Sequence, residues 1–268
     1  MKIEGKRVLV TGGSSGIGRA ITAALLAKGA RVVITGRRQE ALDAAVAGLK
    51  AQGGDVHGIC ADVTETAGRK ATLDGALVYL GGLDILVNNA GGVRAGRLED
   101  TSEAEIRAML EVDLIAPILL TRAALPALRA SGDGLIADVT SAIALIGMPF
   151  YATYAATKAG LARFDEALRR ELVGEGVRVL TIYPGATDTP MMRTSRAGAE
   201  VGFTKEPAEA VAAAVIAAIE GDGFEVVRGG EARAQMIALN RSDPIALDRR
   251  FADLKPALAE AVRDHSAL

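Results

Sequence analysis

Short apolar runs rich in β-branched residues alternate six times with longer stretches of helical period, and this alternation constrains the fold more than any other feature. The runs at 7–11, 31–35, 55–60, 83–87, 134–139 and 177–182 predict strands. Helical patterns at 17–28, 39–51, 64–80, 102–129 and 151–173 fall between them. Strands that are apolar on both faces and joined by crossover helices imply a parallel sheet covered on each side. Beyond 182 the pattern loosens, then resumes as a helix at 207–220, a seventh strand at 224–227 and an amphipathic helical tail at 243–265. No linker or repeat divides the 268 residues, so the expectation is one α/β doubly wound domain.

Composition excludes several classes of function. Aromatic residues make up 3% of the chain and tryptophan is absent, which leaves no stacking surface for nucleic acid. The net charge of −2 gives phosphate-backbone binding little support. Cys60 is the single cysteine and the histidines are His57 and His265, so neither a disulfide nor a clustered zinc site is expected. The charged start, Met1 to Arg7, does not resemble a signal peptide, and no apolar stretch reaches membrane-spanning length. These features suit a cytoplasmic protein with no membrane association.

Two motifs carry chemistry. Thr11-Gly-Gly-Ser-Ser-Gly-Ile-Gly18 lies between the first strand and first helix. Gly12, Gly16 and Gly18 allow a tight turn and close approach of backbone to a pyrophosphate, with Ser14, Ser15 and Ile17 beside it at a helix N-terminus. The second strand ends in Arg37-Arg38 with no acid beside them. An acid there would hold a ribose 2′-hydroxyl, whereas guanidiniums accommodate a 2′-phosphate, so the pair favours NADP(H) over NAD(H). The alternative is a solvated basic helix start, which the helix dipole disfavours. Downstream, Tyr154 and Lys158 lie four residues apart, on one face of a helix, thirteen residues beyond Ser141. An ammonium so placed is expected to lower the tyrosine pKa from about 10.

These motifs, with Asp62-Val63, Asn88-Asn-Ala-Gly91 and Tyr183-Pro-Gly185, resemble the short-chain dehydrogenase/reductase family in order and spacing over roughly residues 5 to 190. The resemblance implies a seven-stranded Rossmann-like sheet and NAD(P)-dependent interconversion of a carbonyl and an alcohol. It implies that Asp62 and Val63 flank the adenine and that Asn89, Ala90 and Gly91 line the cofactor. Pro184, Gly185 and Thr187 would meet the nicotinamide end, and Thr189 the pyrophosphate. Asn88-Asn89 also suits a turn and Asp62 a helix cap. Tyr154 would be the general acid or base, Ser141 the hydrogen-bond donor to the substrate oxygen, and Lys158 the support of both tyrosine and ribose.

The chain departs from the family pattern twice. Where the family has an asparagine thought to hold a water beside the lysine, this chain has Asp113, whose anion would partly cancel the lysine's effect on Tyr154. Nearly forty residues, rich in charge, also follow Gly230, which puts four-fold assembly in doubt. A homodimer or homotetramer is still expected, with helices 104–129 and 151–173 as the dimer surface. By the same resemblance Ile143, Met148, Tyr151 and Met191 border a cleft for a small-to-medium apolar carbonyl or alcohol, and 187–204 form a lid. Ile143 and Leu145 equally suit the core. A nucleotide-binding sensor without turnover, resting on Asp113, is the other class of function these residues allow.

Overall fold

All seven expected strand runs pair, and every pairing is parallel. The computed structural model describes residues 1–268. Its strands are β1 (Arg7–Val10), β2 (Arg31–Gly36), β3 (Asp55–Cys60), β4 (Ile85–Asn88), β5 (Gly134–Val139), β6 (Val177–Tyr183) and β7 (Glu225–Val227). They lie side by side in the order β7-β6-β5-β4-β1-β2-β3. The order reverses between β1 and β4, and ligands of open α/β sheets bind outside the strand C-termini at that reversal.

Side-chain alternation along each strand builds the two layers. Val8 and Val10 of β1 pack with α1 (Gly16–Ala27), α2 (Gln39–Lys50) and α7 (Ala208–Glu220) on one face. Leu9, between them, packs on the opposite face with α3 (Thr66–Leu80), α5 (Ala116–Ala130) and α6 (Ala152–Glu171). Both faces are therefore dry, which is why the strand runs read as continuously apolar.

The expected helix 102–129 is broken into α4 (Glu103–Leu110), a π-helical turn (Glu111–Ile115) and α5. A capping box between Ser102 and Glu105 starts α4. The break has a local cause in Pro117, which has no N–H to offer the Asp113 carbonyl one turn earlier, so the ladder widens there.

The tail also differs from expectation. Two helices, α8 (Gly230–Ser242) and α9 (Pro244–Val262), replace the single one at 243–265. Ser266–Ala267 then returns as a short strand antiparallel to Val93–Arg94. Within 187–204, 3₁₀ turns at Pro190–Thr194 and Ala199–Val201 follow a strand of two residues, Thr187–Asp188, paired with Glu206–Pro207. This segment and the tail share a third apolar cluster, in which Ala197 and Val201 meet Met236, Leu247, Phe251 and Val262. No helix is long and apolar enough to cross a membrane.

Candidate active site

The glycine turn opens α1 without closing its N-terminus. Ser15 occupies the cap position but makes no side-chain capping bond, and no acid lies in the first turn. The first N–H groups and the positive end of the dipole are thus free for an anion. Gly12 (φ 66°) and Gly16 (φ 52°) take backbone conformations that side chains disfavour. A Cβ on Gly12 would come within 3.0 Å of the Ala90 Cα, and one on Gly16 within 3.3 Å of Thr189, so the cradle depends on their absence. Gly18 has a packing role instead: its added Cβ would sit 2.3 Å from Asn89 Nδ2. That amide donates to the carbonyls of Thr11 (3.0 Å) and Gly12 (3.2 Å), tying the end of β4 to the turn.

A cleft of about 660 Å³ runs from this turn across the C-terminal ends of the strands. Gly12, Ser14, Ser15, Gly16 and Ile17 line one end with Arg37, Arg38, Asp62 and Val63. Arg37 is 55% exposed and lies 3.9 Å from Asp62. The Asp62 carboxylate also accepts from the backbone N–H and hydroxyl of Thr64, so it is a turn cap as well as a wall of the cleft. Asn89, Ala90, Gly91, Pro184, Gly185, Thr187 and Thr189 line the middle. Asn88 is not part of the cleft wall; it is buried and donates to Asp138 and Thr121.

Ser141, Tyr154 and Lys158 meet at the far end, with Ile143, Met148, Tyr151 and Met191 around them. Ser141 follows β5 and its Oγ accepts from the Ile143 N–H at 3.3 Å. The Lys158 ammonium, 4% exposed, donates to the Val139 carbonyl (3.2 Å) and lies 5.8 Å from the Tyr154 ring centre. Asp113 is placed behind this group by the π turn and does not line the cleft. Its Oδ1 is 3.0 Å from Lys158 Nζ and accepts from the Gly92 N–H, while its buried Oδ2 has no partner. An added Cβ on Gly91 would lie 2.6 Å from Asp113 Oδ1, so glycine there makes room for the carboxylate.

The electrostatics correct one expectation. The Tyr154 pKa lies above its ordinary value rather than below it. Burial penalises the phenolate most; Lys158 and Ser141 pull the value down, but Asp113 pushes it up. Burial also opposes the Lys158 ammonium, yet its pKa is raised because Asp113 and Tyr154 both favour the charged form. The Asp113 carboxyl is itself raised, burial outweighing Lys158 and the Gly92 N–H. Tyr151 is buried and pushed upward by burial and by Tyr154, which suits a wall rather than an acid-base group.

Part of the cleft was not legible in the sequence. Phe203 from the 187–204 segment, and Arg233, His265, Ala267 and Leu268 from the tail, complete its wall. His265 is buried, bonds through Nδ1 to Thr194 Oγ1 at 3.0 Å and lies edge-on to Tyr151. Burial, with Arg94 and Lys205, lowers its pKa to about 4. Phe150, just before Tyr151, is the one non-glycine residue with positive φ (69°), and its carbonyl accepts from the Gly96 N–H. The preceding Met-Pro pair hints at a turn here, but the tail residues carry no motif at all.

Known proteins are similar to this chain in sequence and fold. A short chain dehydrogenase family model matches residues 6–200. The ketoacyl reductase HetN of Nostoc sp. is 34% identical over 255 residues, covering 93% of this chain and 89% of that protein. The 3-oxoacyl-[acyl-carrier-protein] reductase FabG of Escherichia coli is 35% identical over 223 residues, covering 79% and 90%. The crystal structure of a short chain dehydrogenase from Burkholderia cenocepacia in complex with NADP superposes with a TM-score of 0.78 at 36% identity, covering 86% of this chain and 99% of that one. With a family model over most of its length and a relative 34% identical across 93% of it, this chain belongs to the short-chain dehydrogenase/reductase family.

Proposed function

We propose that this oxidoreductase is NADP(H)-dependent and interconverts a carbonyl with an alcohol on a small-to-medium, largely apolar substrate. The observation that carries the reading is one continuous cleft with Ser141, Tyr154 and Lys158 at one end and the open N-terminus of α1 at the other. The residues fit a dinucleotide: the cradle at Gly12 and Gly16 would hold the pyrophosphate, Arg37 and Arg38 the 2′-phosphate, and Lys158 the nicotinamide ribose. When bound, the nicotinamide supplies or accepts the hydride.

The chain's own groups handle the proton and the charge. In reduction Tyr154 donates its phenolic proton to the substrate oxygen as charge builds there, and Ser141 donates a hydrogen bond to the same oxygen. Lys158 steadies the resulting phenolate, and Asp113 keeps Lys158 charged. In oxidation Tyr154 takes the proton back. Ile143, Met148, Met191 and Phe203 exclude water around the reacting carbon. Association into a dimer through α4, α5 and α6 belongs to the same reading.

Titrating wild type and Tyr154→Phe with NADPH and NADH, by nicotinamide fluorescence, tests the proposal alongside turnover of a ketone and aldehyde panel. Expected are tighter binding of NADPH than NADH by both proteins and a fall in turnover of about 10²–10⁴-fold in the variant. Undiminished turnover by Tyr154→Phe removes the acid-base assignment. Tighter NADH binding removes the Arg37–Arg38 clamp. Wild-type cofactor binding with no turnover of any carbonyl favours the sensor reading that Asp113 permits.

A further inference from the structure

Arg233 sits in the first turn of α8, outside the family's matched residues 6–200. Its side chain reaches the cleft wall shared with Ser141, Tyr154 and Met148, and the residue is only 7% exposed. The one polar contact is from Nη1 to Met148 Sδ at 3.5 Å, and a thioether is a weak acceptor. No carboxylate pairs with it. Other sheltered arginines do have acids: Arg7 meets Asp84 at 2.8 Å and Arg94 meets Glu105 at 3.0 Å.

Burial alone lowers the Arg233 pKa, with no acid opposing it. A guanidinium remains charged even so, and its five N–H donors need acceptors. A buried, unpaired charge is costly, so its persistence beside an open cleft points to an acceptor that arrives with a ligand. The cofactor's phosphates are accounted for elsewhere, at the α1 N-terminus and at Arg37 and Arg38. Arg233 touches Met148 instead, in the segment following Ser141, where the substrate lies.

We propose that Arg233 binds a carboxylate on the substrate, making the preferred substrate an apolar carbonyl compound that also carries a carboxylate group. The planar guanidinium matches a carboxylate through two parallel hydrogen bonds, and the apolar wall around it strengthens both. The inference rests on the reductase reading for its carbonyl and on Arg233 alone for its anion.

The test compares para-acetylbenzoate with its methyl ester in wild type, Arg233→Met and Arg233→Lys, using the full chain with NADPH. Wild type should prefer the acid by about tenfold or more in kcat/KM, mostly through KM, the scale of a charge-assisted hydrogen bond. Arg233→Met should lose that preference and Arg233→Lys keep part of it, with NADPH affinity unchanged in both. Calorimetric binding of benzoate to the protein–NADP complex should weaken by a similar factor in Arg233→Met. The methionine variant should also melt higher than wild type, because an unpaired buried charge has gone.

Equal use of acid and ester by wild type overturns the proposal while leaving the reductase reading in place. So does acid preference that survives Arg233→Met. A loss confined to NADPH binding would assign Arg233 to the cofactor, and a lower melting temperature with both ligands lost would make it structural; each overturns the proposal. Arg233-dependent benzoate binding without turnover of any ketone would sustain the anion site and sink the reductase reading.

Discussion

Asp113 sets a buried carboxylate directly against the ammonium of Lys158. Its carboxylate lies 3.0 Å from the ammonium that steadies Tyr154, and both charges are almost wholly shielded from water. Its effect on the phenol is to raise the pKa, adding to burial. Asp113→Asn keeps the shape and removes that charge, so the Tyr154 pKa should fall. Alcohol oxidation needs the phenolate, so the pH at which its rate climbs should move lower in the variant, read from kcat against pH. An unmoved or higher onset would show that Asp113 does not act on Tyr154. Tyr154 and Lys158 were legible because a spacing of four is itself a statement about a helix face. The net pKa direction was not, because it depends on how much water the fold removes.

At the scale of elements, one polar row crosses the otherwise largely apolar sheet. Asn88 of β4, Asp138 of β5 and Thr181 of β6 are neighbours in register. Asp165 of α6 lies over them and accepts from Thr181 Oγ1 at 2.9 Å. Asp138 Oδ2 and Asp165 Oδ1 are buried without a hydrogen-bond partner, and the two carboxyls act on each other's titration, so the pair should hold a proton between them. Burial raises both pKa values, that of Asp165 further through the Asp138 charge. The folded state therefore holds a proton that the unfolded chain has released. Stability should fall as pH rises from the ordinary aspartate range through the raised values. Asp165→Asn supplies an N–H in place of the proton. It should flatten that slope and stabilise the protein by about 1–3 kcal/mol at pH 8 relative to pH 5. Melting curves at the two pH values check this; equal slopes in wild type and variant would mean that no proton is shared.

For the whole molecule, the tail supplies one wall of the cleft at the C-terminal ends of the strands. Ser266–Ala267 pairs with Val93–Arg94 and carries His265 against Tyr151, while α8 and α9 hold the 187–204 segment from beneath. Deleting 265–268 should raise substrate KM on the order of tenfold, the cost of a few half-buried contacts, with a smaller change in NADPH affinity. It should also expose 187–204 to protease. An unchanged KM would mean that this strand plays no part in shaping the cleft. By itself the sequence determined the parallel sheet, its seven strands, the glycine turn and the Ser141, Tyr154 and Lys158 group. Each is a local pattern: period two against period 3.6, a glycine where a Cβ would clash, a spacing of four. Only the tertiary structure decided that Asp113 lies against Lys158, that Asp138 and Asp165 are buried together, and that Arg233 and His265 wall the cleft. Those outcomes depend on burial and on contacts between residues far apart in the chain, such as Ala267 and Val93. Burial sets the cost of a charge, and no local pattern records it.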